Sequence, residues 1–337
     1  EFMNQYGFEM LTEICRFFAF ACKYSDKDKR YHLDKVMGPD EFHEKYPDKK
    51  EGGLKNNAYT NIMLSWVIKN CLNLYYNLYK NSENKSQISA EELDLWQKIS
   101  QNLYLNVNNE GIIEQFEGYF NLKELDWEHY KKKYGNIYRL DRILKAEGKS
   151  PDSYKLAKQA DTLMVFYNLS DKELNETFTE LGITLPADYK INNFNYYIKR
   201  TSHGSTLSRV VHSWLANDFD LIEWSWDLYS DALGSDFYDI QGGTTSEGIH
   251  AGVMTATIMQ AICSFAGIDI RGKAIKISPK MPKQWQSIGF SILFRDVIYQ
   301  IEVTHKTIGI KTDKDVGVLI NNIPCIIQEG VWWNIDY

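Results

Sequence analysis

"SIGFSILFRDVIYQIEV", residues 287–303, marks where the hydrophobic period of this chain changes, and that change decides the fold. Ile288, Phe290, Ile292 and Phe294 alternate with Ser, Gly and Leu, and Val297, Tyr299, Ile301 and Val303 alternate more cleanly. "IGIKTD" (308–313) and "GVLINNIPCII" (317–327) continue the pattern, which predicts strands joined by tight turns. Upstream of about residue 270 the period is helical. Leu11, Ile14, Cys15, Phe18 and Cys22 share one face of residues 8–23. Met63, Val67, Cys71, Leu74 and Leu78 form a second stripe over residues 61–80. "SAEELDLWQKISQNL" (89–103) opens on a capping box, Ser89 with Glu92. Pro151 stands near the start of a predicted helix in "SPDSYKLAKQADTLMVFYNL" (150–169). "TLSRVVHSWLA" (206–216) and "FDLIEWSWDLYSDAL" (219–233) predict two more helices. The last, over 244–267, has Thr244 and Glu247 as a box and Gly267 as its C′ residue. It is apolar on nearly every side, which predicts burial. Helices first and strands after give a mainly α chain, with a helical portion over residues 1–268 and a small antiparallel β module over 269–337.

The 337 residues are 44% hydrophobic, enough for one large core or a domain plus a smaller module. A net charge of −7 gives no basic footprint for nucleic acid, so no nucleic-acid partner is expected. No apolar run is long enough to span a bilayer, so no membrane partner is expected either. The five cysteines contain no CxxC and are odd in number, which argues against a disulfide framework. Cys15, Cys22 and Cys71 fall on apolar faces, as buried thiols in a reducing compartment do. With no secretory signal visible, a cytoplasmic location is the expectation. Aromatic residues reach 14%, which suits either an aromatic core or sugar-stacking surfaces.

Three stretches carry candidate chemistry. "VMGPDEFHEKYP" (36–47) packs Asp40, Glu41, His43 and Glu44 into five positions. It is a catalytic carboxylate site, a metal site or a solvated acidic loop. The order needed for two zinc-binding histidines on one helix face is missing, and Gly38-Pro39 favours a turn, so no metal is expected. "RTSHGSTLS" (200–208) runs small hydroxyls, His203 and Gly204 into a helix start, where Ser205 or Thr206 sits and where backbone N–H groups and the helix dipole favour an anion. Ordinary N-capping accounts for one of those hydroxyls but not for Ser202 and His203. "QGGTTSEGIHAG" (241–252) repeats the plan, with His250 in the first turn. In "KLAKQADTLM" (155–164), Lys158, Gln159 and Asp161 interrupt the predicted helix; such polar residues are usually solvated, but the Lys158-Gln159 pair can equally donate to sugar hydroxyls.

Taken in order, "GPDEFHE", "NNAYTN" (56–61), "IIEQFEGY" (112–119), "AKQAD" (157–161), "RTSHGSTLS" and "TTSEGIH" resemble glycoside hydrolase family 65, the inverting α-glucoside phosphorylases and related hydrolases. The resemblance runs from residue 1 to about residue 310. It implies an (α/α)6 barrel, of which this chain supplies the C-terminal part, followed by a small β module. The family binds the cleaved glucose partly through a Trp-Asp pair in the first half of the barrel; Trp226-Asp227 lies too late to match it, so the chain resembles the C-terminal portion of a longer enzyme. Motif by motif, the resemblance makes Glu41 the general acid and places Lys158 and Gln159 on the substrate. It gives phosphate binding to Ser202, His203, Ser205, Thr206 and His250. Asp40, His43 and Glu44 then flank the acid and tune it. The implied reaction is phosphorolysis of an α-glucosidic disaccharide or glucoside to β-glucose 1-phosphate and a free acceptor sugar. Inorganic phosphate is the co-substrate, no cofactor is needed, and the full-length protein is expected to be able to form a homodimer. "KYPDKKEGGLK" (45–55) is longer than in maltose phosphorylases, so the resemblance does not carry their acceptor preference.

In that mechanism Glu41 must hold a proton, which predicts partial burial or carboxylate neighbours such as Asp40 and Glu44. A hydrolase would also need a base carboxylate to activate water, whereas phosphate arrives as an anion and needs N–H, hydroxyl and imidazole donors. "SHGSTLS" has such donors and no carboxylate, which favours phosphorolysis. Glu117, Asp161 and Glu247 keep the inverting hydrolase open as an alternative, and a carbohydrate-binding or inactive fragment is the alternative of another class.

Overall fold

The computed structural model describes residues 1–80, 88–240 and 245–337, without the side chain of Glu247. It divides into two compact units, Glu1–Ser208 and Arg209–Tyr337. The first unit holds helices α1 (Phe8–Ala21), α2 (Ala58–Leu74), α3 (Ala90–Asn102), α4 (Trp127–Tyr134), α5 (Leu140–Ala146), α6 (Leu163–Asn168), α7 (Asp171–Glu180) and α8 (Tyr189–Ile198). Two short antiparallel pairs accompany them, β1 (Lys23–Ser25) with β2 (Arg30–His32) and β3 (Asp34–Val36) with β4 (Leu54–Lys55).

Of the two predicted stripes, Cys15 and Cys71 enter the core of this unit, Leu11, Phe18, Cys22, Val67 and Leu74 pack partly buried against it, and Ile14 and Leu78 are exposed. Phe8 and Cys15 of α1, Leu64, Ile68 and Cys71 of α2, and Trp96 and Ile99 of α3 are buried together. All five cysteines are free thiols, and burial pushes Cys22 up to about 12. The Ser89–Glu92 capping box at α3 is present in both directions. A separate cluster of Phe42, Leu125, Tyr130, Leu140, Leu144 and Leu156 anchors the loop that follows β3.

One helix expectation fails. Residues 150–169 form only a short 3₁₀ turn, Pro151–Ser153, and then α6. The chain between them is not helical, because its backbone bonds elsewhere: Lys155 N–H donates to Lys123 O at 2.7 Å and Ala157 N–H to Arg200 O at 2.8 Å. Distant strand-like pairing outweighs a local helical preference there.

The second unit contains most of α9 (Thr206–Asp218), then α10 (Ile222–Tyr238) and α11 (Ala251–Met259), the last continued by a wider turn to Phe265. Residues 241–244, including the Thr244 of the expected capping box, lie outside the described residues, as does its partner side chain, Glu247. Gly267 has the left-handed φ of 71° expected of a C′ residue. The expected all-round burial of α11 is not found: Ile258 and Met259 are exposed, while Val253 and Thr257 are buried.

Strands β5 (Ile268–Asp269), β6 (Lys276–Ile277), β7 (Ser287–Phe294), β8 (Val297–Thr304), β9 (Thr307–Thr312), β10 (Val316–Ile320), β11 (Ile323–Ile327) and β12 (Trp333–Asp336) complete the unit. They form two four-stranded sheets, β12-β9-β8-β7 and β11-β10-β6-β5. All pairs are antiparallel except β6 with β10. The alternation read from residue 287 onward is the burial pattern: Val297, Tyr299, Ile301 and Val303 face the module's core with Ile308, Ile310, Val318 and Ile320. Arg295-Asp296 and Asn321-Asn322 turn the β7–β8 and β10–β11 hairpins, all four at positive φ.

Candidate active site

The loop Gly38–Glu44 leaves β3 with its side chains sorted by burial. Asp40, Phe42 and His43 point inward; Glu41 and Glu44 point to solvent. Phe42 enters its apolar cluster. Asp40 and His43 are each 1% exposed at the side chain and form a buried pair, Oδ2 to Nδ1 at 3.1 Å. The other ring nitrogen of His43 faces Tyr154 O at 2.9 Å. Both partners are acceptors, so only the doubly protonated ring satisfies both. Burial pulls the His43 pKa down, but the hydrogen bond and charge of Asp40, with the Tyr154 carbonyl, outweigh it and raise the value.

The Lys158–Asp161 stretch grips this loop from the far side of the sequence. Lys158 N–H donates to Asp40 Oδ1 at 2.7 Å, and Gln159 Nε2 to Pro39 O at 2.5 Å. Asp40 N–H donates to Asp161 Oδ2 at 3.0 Å. Asn57, whose Oδ1 caps α2 by accepting Thr60 N–H at 2.9 Å, donates its amide to Asp161 Oδ1 at 3.1 Å. Burial pushes the Asp161 carboxyl up to about 7. The Asp40 charge adds to that rise, while the two hydrogen bonds and the His43 charge oppose it. Gly38 lies so close that a Cβ there would collide with Asp161 Oδ2 and the Asn57 amide.

What this framework presents outward is Glu41, whose side chain is 60% exposed and whose Oε2 lies 2.6 Å from Lys158 Nζ. The expected burial of Glu41 is therefore not found, because Asp40 takes the inward position. The Glu44 backbone donates its N–H to Asp152 Oδ1 at 3.0 Å and accepts Gly53 N–H at 2.7 Å. The bridge at Ala157 also brings in the hydroxyl-rich loop. Ser202 N–H donates to Ala157 O at 2.8 Å and Gly204 N–H to Lys158 O at 3.0 Å. Ser202 is buried with its hydroxyl donating to Tyr138 O at 3.3 Å. His203 is half-buried at a left-handed φ of 55°, its Nδ1 2.9 Å from Ser208 Oγ. Ser205 is half-buried and Thr206, buried, begins α9. A Cβ on Gly204 would collide with the Tyr138 carbonyl, so only glycine brings this loop against Lys158.

His250 belongs to the second unit, where its Nδ1 caps α11 by accepting Val253 N–H at 3.2 Å. Glu117 is tied to Lys55 Nζ at 3.1 Å and to the Asn56 amide at 2.6 Å. The sequence reading assigned no role to Asn57, Gln115 or Asp152, though the first two lie in quoted motifs. Gln115 O accepts Ala58 N–H at 2.8 Å, and its amide faces Asp40 Oδ2 at 3.5 Å. Among the described residues no cluster of three or more His, Cys, Asp or Glu is arranged to hold a metal, and no helix is long and apolar enough to cross a membrane.

Comparison with known proteins gives these positions a context. Residues 1–259 match the model of the glycosyl hydrolase family 65 central catalytic domain, and residues 268–321 match that family's C-terminal domain. The chain is 39% identical over 330 residues to trehalose 6-phosphate phosphorylase of Lactococcus lactis subsp. lactis, covering 98% of this chain and 42% of that protein. It is 28% identical over 320 residues to kojibiose phosphorylase of Caldanaerobacter subterraneus subsp. tengcongensis, covering 92% of this chain and 38% of that protein. A solved putative kojibiose phosphorylase from human microbiome superposes on the whole chain with a TM-score of 0.78 at 24% identity, using 46% of its own length. The chain thus spans less than half the length of these relatives. The structural likeness establishes the fold: a mainly α portion followed by a β module.

Proposed function

Because the chain belongs to glycosyl hydrolase family 65, we propose that it carries the general-acid side of an active site for inverting phosphorolysis of an α-glucosidic disaccharide or glucoside. Glu41 gives its proton to the glycosidic oxygen as that oxygen leaves C1. A phosphate oxygen forms the new bond to C1 from the opposite face, yielding β-glucose 1-phosphate and a free acceptor sugar. Lys158 contacts the sugar, Gln159 steadies the Glu41 loop through its amide on Pro39 O, and Ser202, His203, Ser205 and Thr206 contribute to phosphate binding. Residues 1–268 form the catalytic portion, and 269–337 the accessory β module.

The observation that carries this reading is the placement of Glu41 on a locked loop, its side chain reaching solvent beside a loop of hydroxyl, imidazole and N–H groups pinned to the Lys158 backbone. Hydrolysis needs a second carboxylate with access to water. Asp161 is 4% exposed with both oxygens engaged, whereas Glu117, held by Lys55 and Asn56, is 35% exposed and the Glu247 side chain lies outside the described residues, so the inverting hydrolase stands as the second reading. The names of the relatives, phosphorylases of trehalose 6-phosphate and kojibiose, favour phosphorolysis and nominate the first substrates to try.

The test uses the complete natural protein that contains this chain, incubated with trehalose 6-phosphate, kojibiose and maltose, with and without phosphate. β-Glucose 1-phosphate formed only with phosphate is the expected product. Free glucose released without phosphate assigns a hydrolase instead, and no turnover of any α-glucoside assigns a binding or inactive protein.

A further inference from the structure

We propose that Asp161 is a positioning residue for Glu41, holding the loop that bears the acid against the Lys158–Gln159 segment; this rests on the general-acid role proposed for Glu41. Asp161 is 4% exposed and is turned into the protein, so it has no surface to offer a sugar. Its two oxygens instead join two elements. Oδ2 accepts the N–H of Asp40, the residue immediately before Glu41, and Oδ1 accepts the amide of Asn57 at the start of α2. Asp40 answers by accepting Lys158 N–H, so the two carboxyls clamp the loops to each other in both directions. Gly38 fits the remaining space only because it has no side chain.

Glu41 has no such anchor of its own. Its described side-chain partner is Lys158, and most of the side chain is in solvent. The direction in which its carboxyl meets a glycosidic oxygen is therefore set by its backbone, and that backbone is set one residue earlier by Asp161. Misplacing an acid by a fraction of its hydrogen-bond reach removes proton transfer while leaving substrate binding in place.

A leaving group that needs no proton separates this role from general support of the fold. Wild type, Asp161→Ala, Asp161→Asn and Gly38→Ala forms of the complete natural protein are compared on a disaccharide and on 4-nitrophenyl α-glucoside, with phosphate. For Asp161→Ala, kcat on the disaccharide should fall by about 100-fold at nearly constant KM, while kcat on the nitrophenyl glucoside falls by no more than about threefold. Gly38→Ala, which pushes on the same carboxylate from the other side, should give the same pattern, and Glu41→Gln a deeper version of it. Asp161→Asn keeps the volume and one acceptor oxygen, so it should show the pattern in weaker form even where the alanine variant fails to fold. Equal losses on both substrates in Asp161→Asn and Gly38→Ala, or no loss on the disaccharide in either, would overturn the proposal. A wild-type protein that turns over neither substrate would instead sink the acid assignment on which it rests.

Discussion

His43 and Asp161 lie on either side of Asp40, and both make the folded state bind protons that the unfolded chain releases. For His43 the folded pKa is raised, so its stabilisation is fully present below its unfolded value of about 6.5 and is lost as pH rises through the folded value. For Asp161 the carboxyl is raised from 3.8 to about 7, so stability falls as pH climbs across that interval and is level above it. The two effects have the same sign. Calorimetry between about pH 5 and 8 should show the melting temperature of this chain falling with pH, and Asp161→Asn should flatten that slope. A slope of opposite sign would refute the assignment. Removing the imidazole is more damaging, because it leaves the Asp40 carboxylate buried without its countercharge. His43→Ala should cost about 3–5 kcal/mol in denaturant unfolding at pH 6, and a cost below about 1 kcal/mol would mean the pair is not charged. Glu41→Gln should behave in the opposite way. Its exposed side chain predicts an unchanged melting temperature, while turnover of a disaccharide by the complete protein falls by about 100-fold or more.

Elements that depend on neighbouring residues were readable in the sequence, and those that depend on distant partners were not. The Ser89–Glu92 box, the left-handed Gly267 and the alternation of β8 are each written within a few residues, and the structure has all three. Residues 154–162 have a helical composition but take an irregular path, because their backbone partners lie at Lys123 and at Arg200–Gly204. The site followed the same rule. Glu41 stood out by its motif, whereas Asp161 meets Asp40 across 121 residues and Asn57 across 104, a separation no local pattern encodes. The β7–β8 hairpin gives a test at this scale. Its turn residues, Arg295 and Asp296, adopt φ of 52° and 60°, a conformation that Asn-Gly enters at lower cost. The double change Arg295→Asn, Asp296→Gly should therefore stabilise the β module by about 0.5–1 kcal/mol, read as a shift in its denaturant midpoint at constant slope. A lower midpoint would show that the Arg295 contacts, including its stacking on Phe294, outweigh the turn.

At the scale of the whole molecule, the first unit exposes apolar surface that its own core does not use. Along α1, Met10, Ile14 and Phe17 recur at helical spacing and are 56%, 42% and 65% exposed, with Phe20 beside them at 92%. Between α1 and α2 a groove of about 360 Å³ is lined by Ile14, Phe18, Met37, Met63 and Val67. So the stripe predicted for residues 61–80 serves two surfaces: Cys71 enters the core, while Met63 and Val67 line the groove. Contiguous apolar patches of this kind are uncommon on soluble monomers and promote association. The net charge of −7 opposes this only weakly, since repulsion is screened within about 8 Å at physiological salt. The chain produced on its own should therefore self-associate as its concentration rises, seen as a growing sedimentation coefficient in velocity runs. Placing charge on the stripe, as in Phe17→Glu with Phe20→Glu, should suppress the association without moving the unfolding midpoint of the β module, because both side chains lie outside the first unit's core and far along the chain from the second. A chain that sediments as one monomeric species at every concentration, with a single cooperative unfolding transition, would show that this face is tolerated in water and that the stripe has no association to drive.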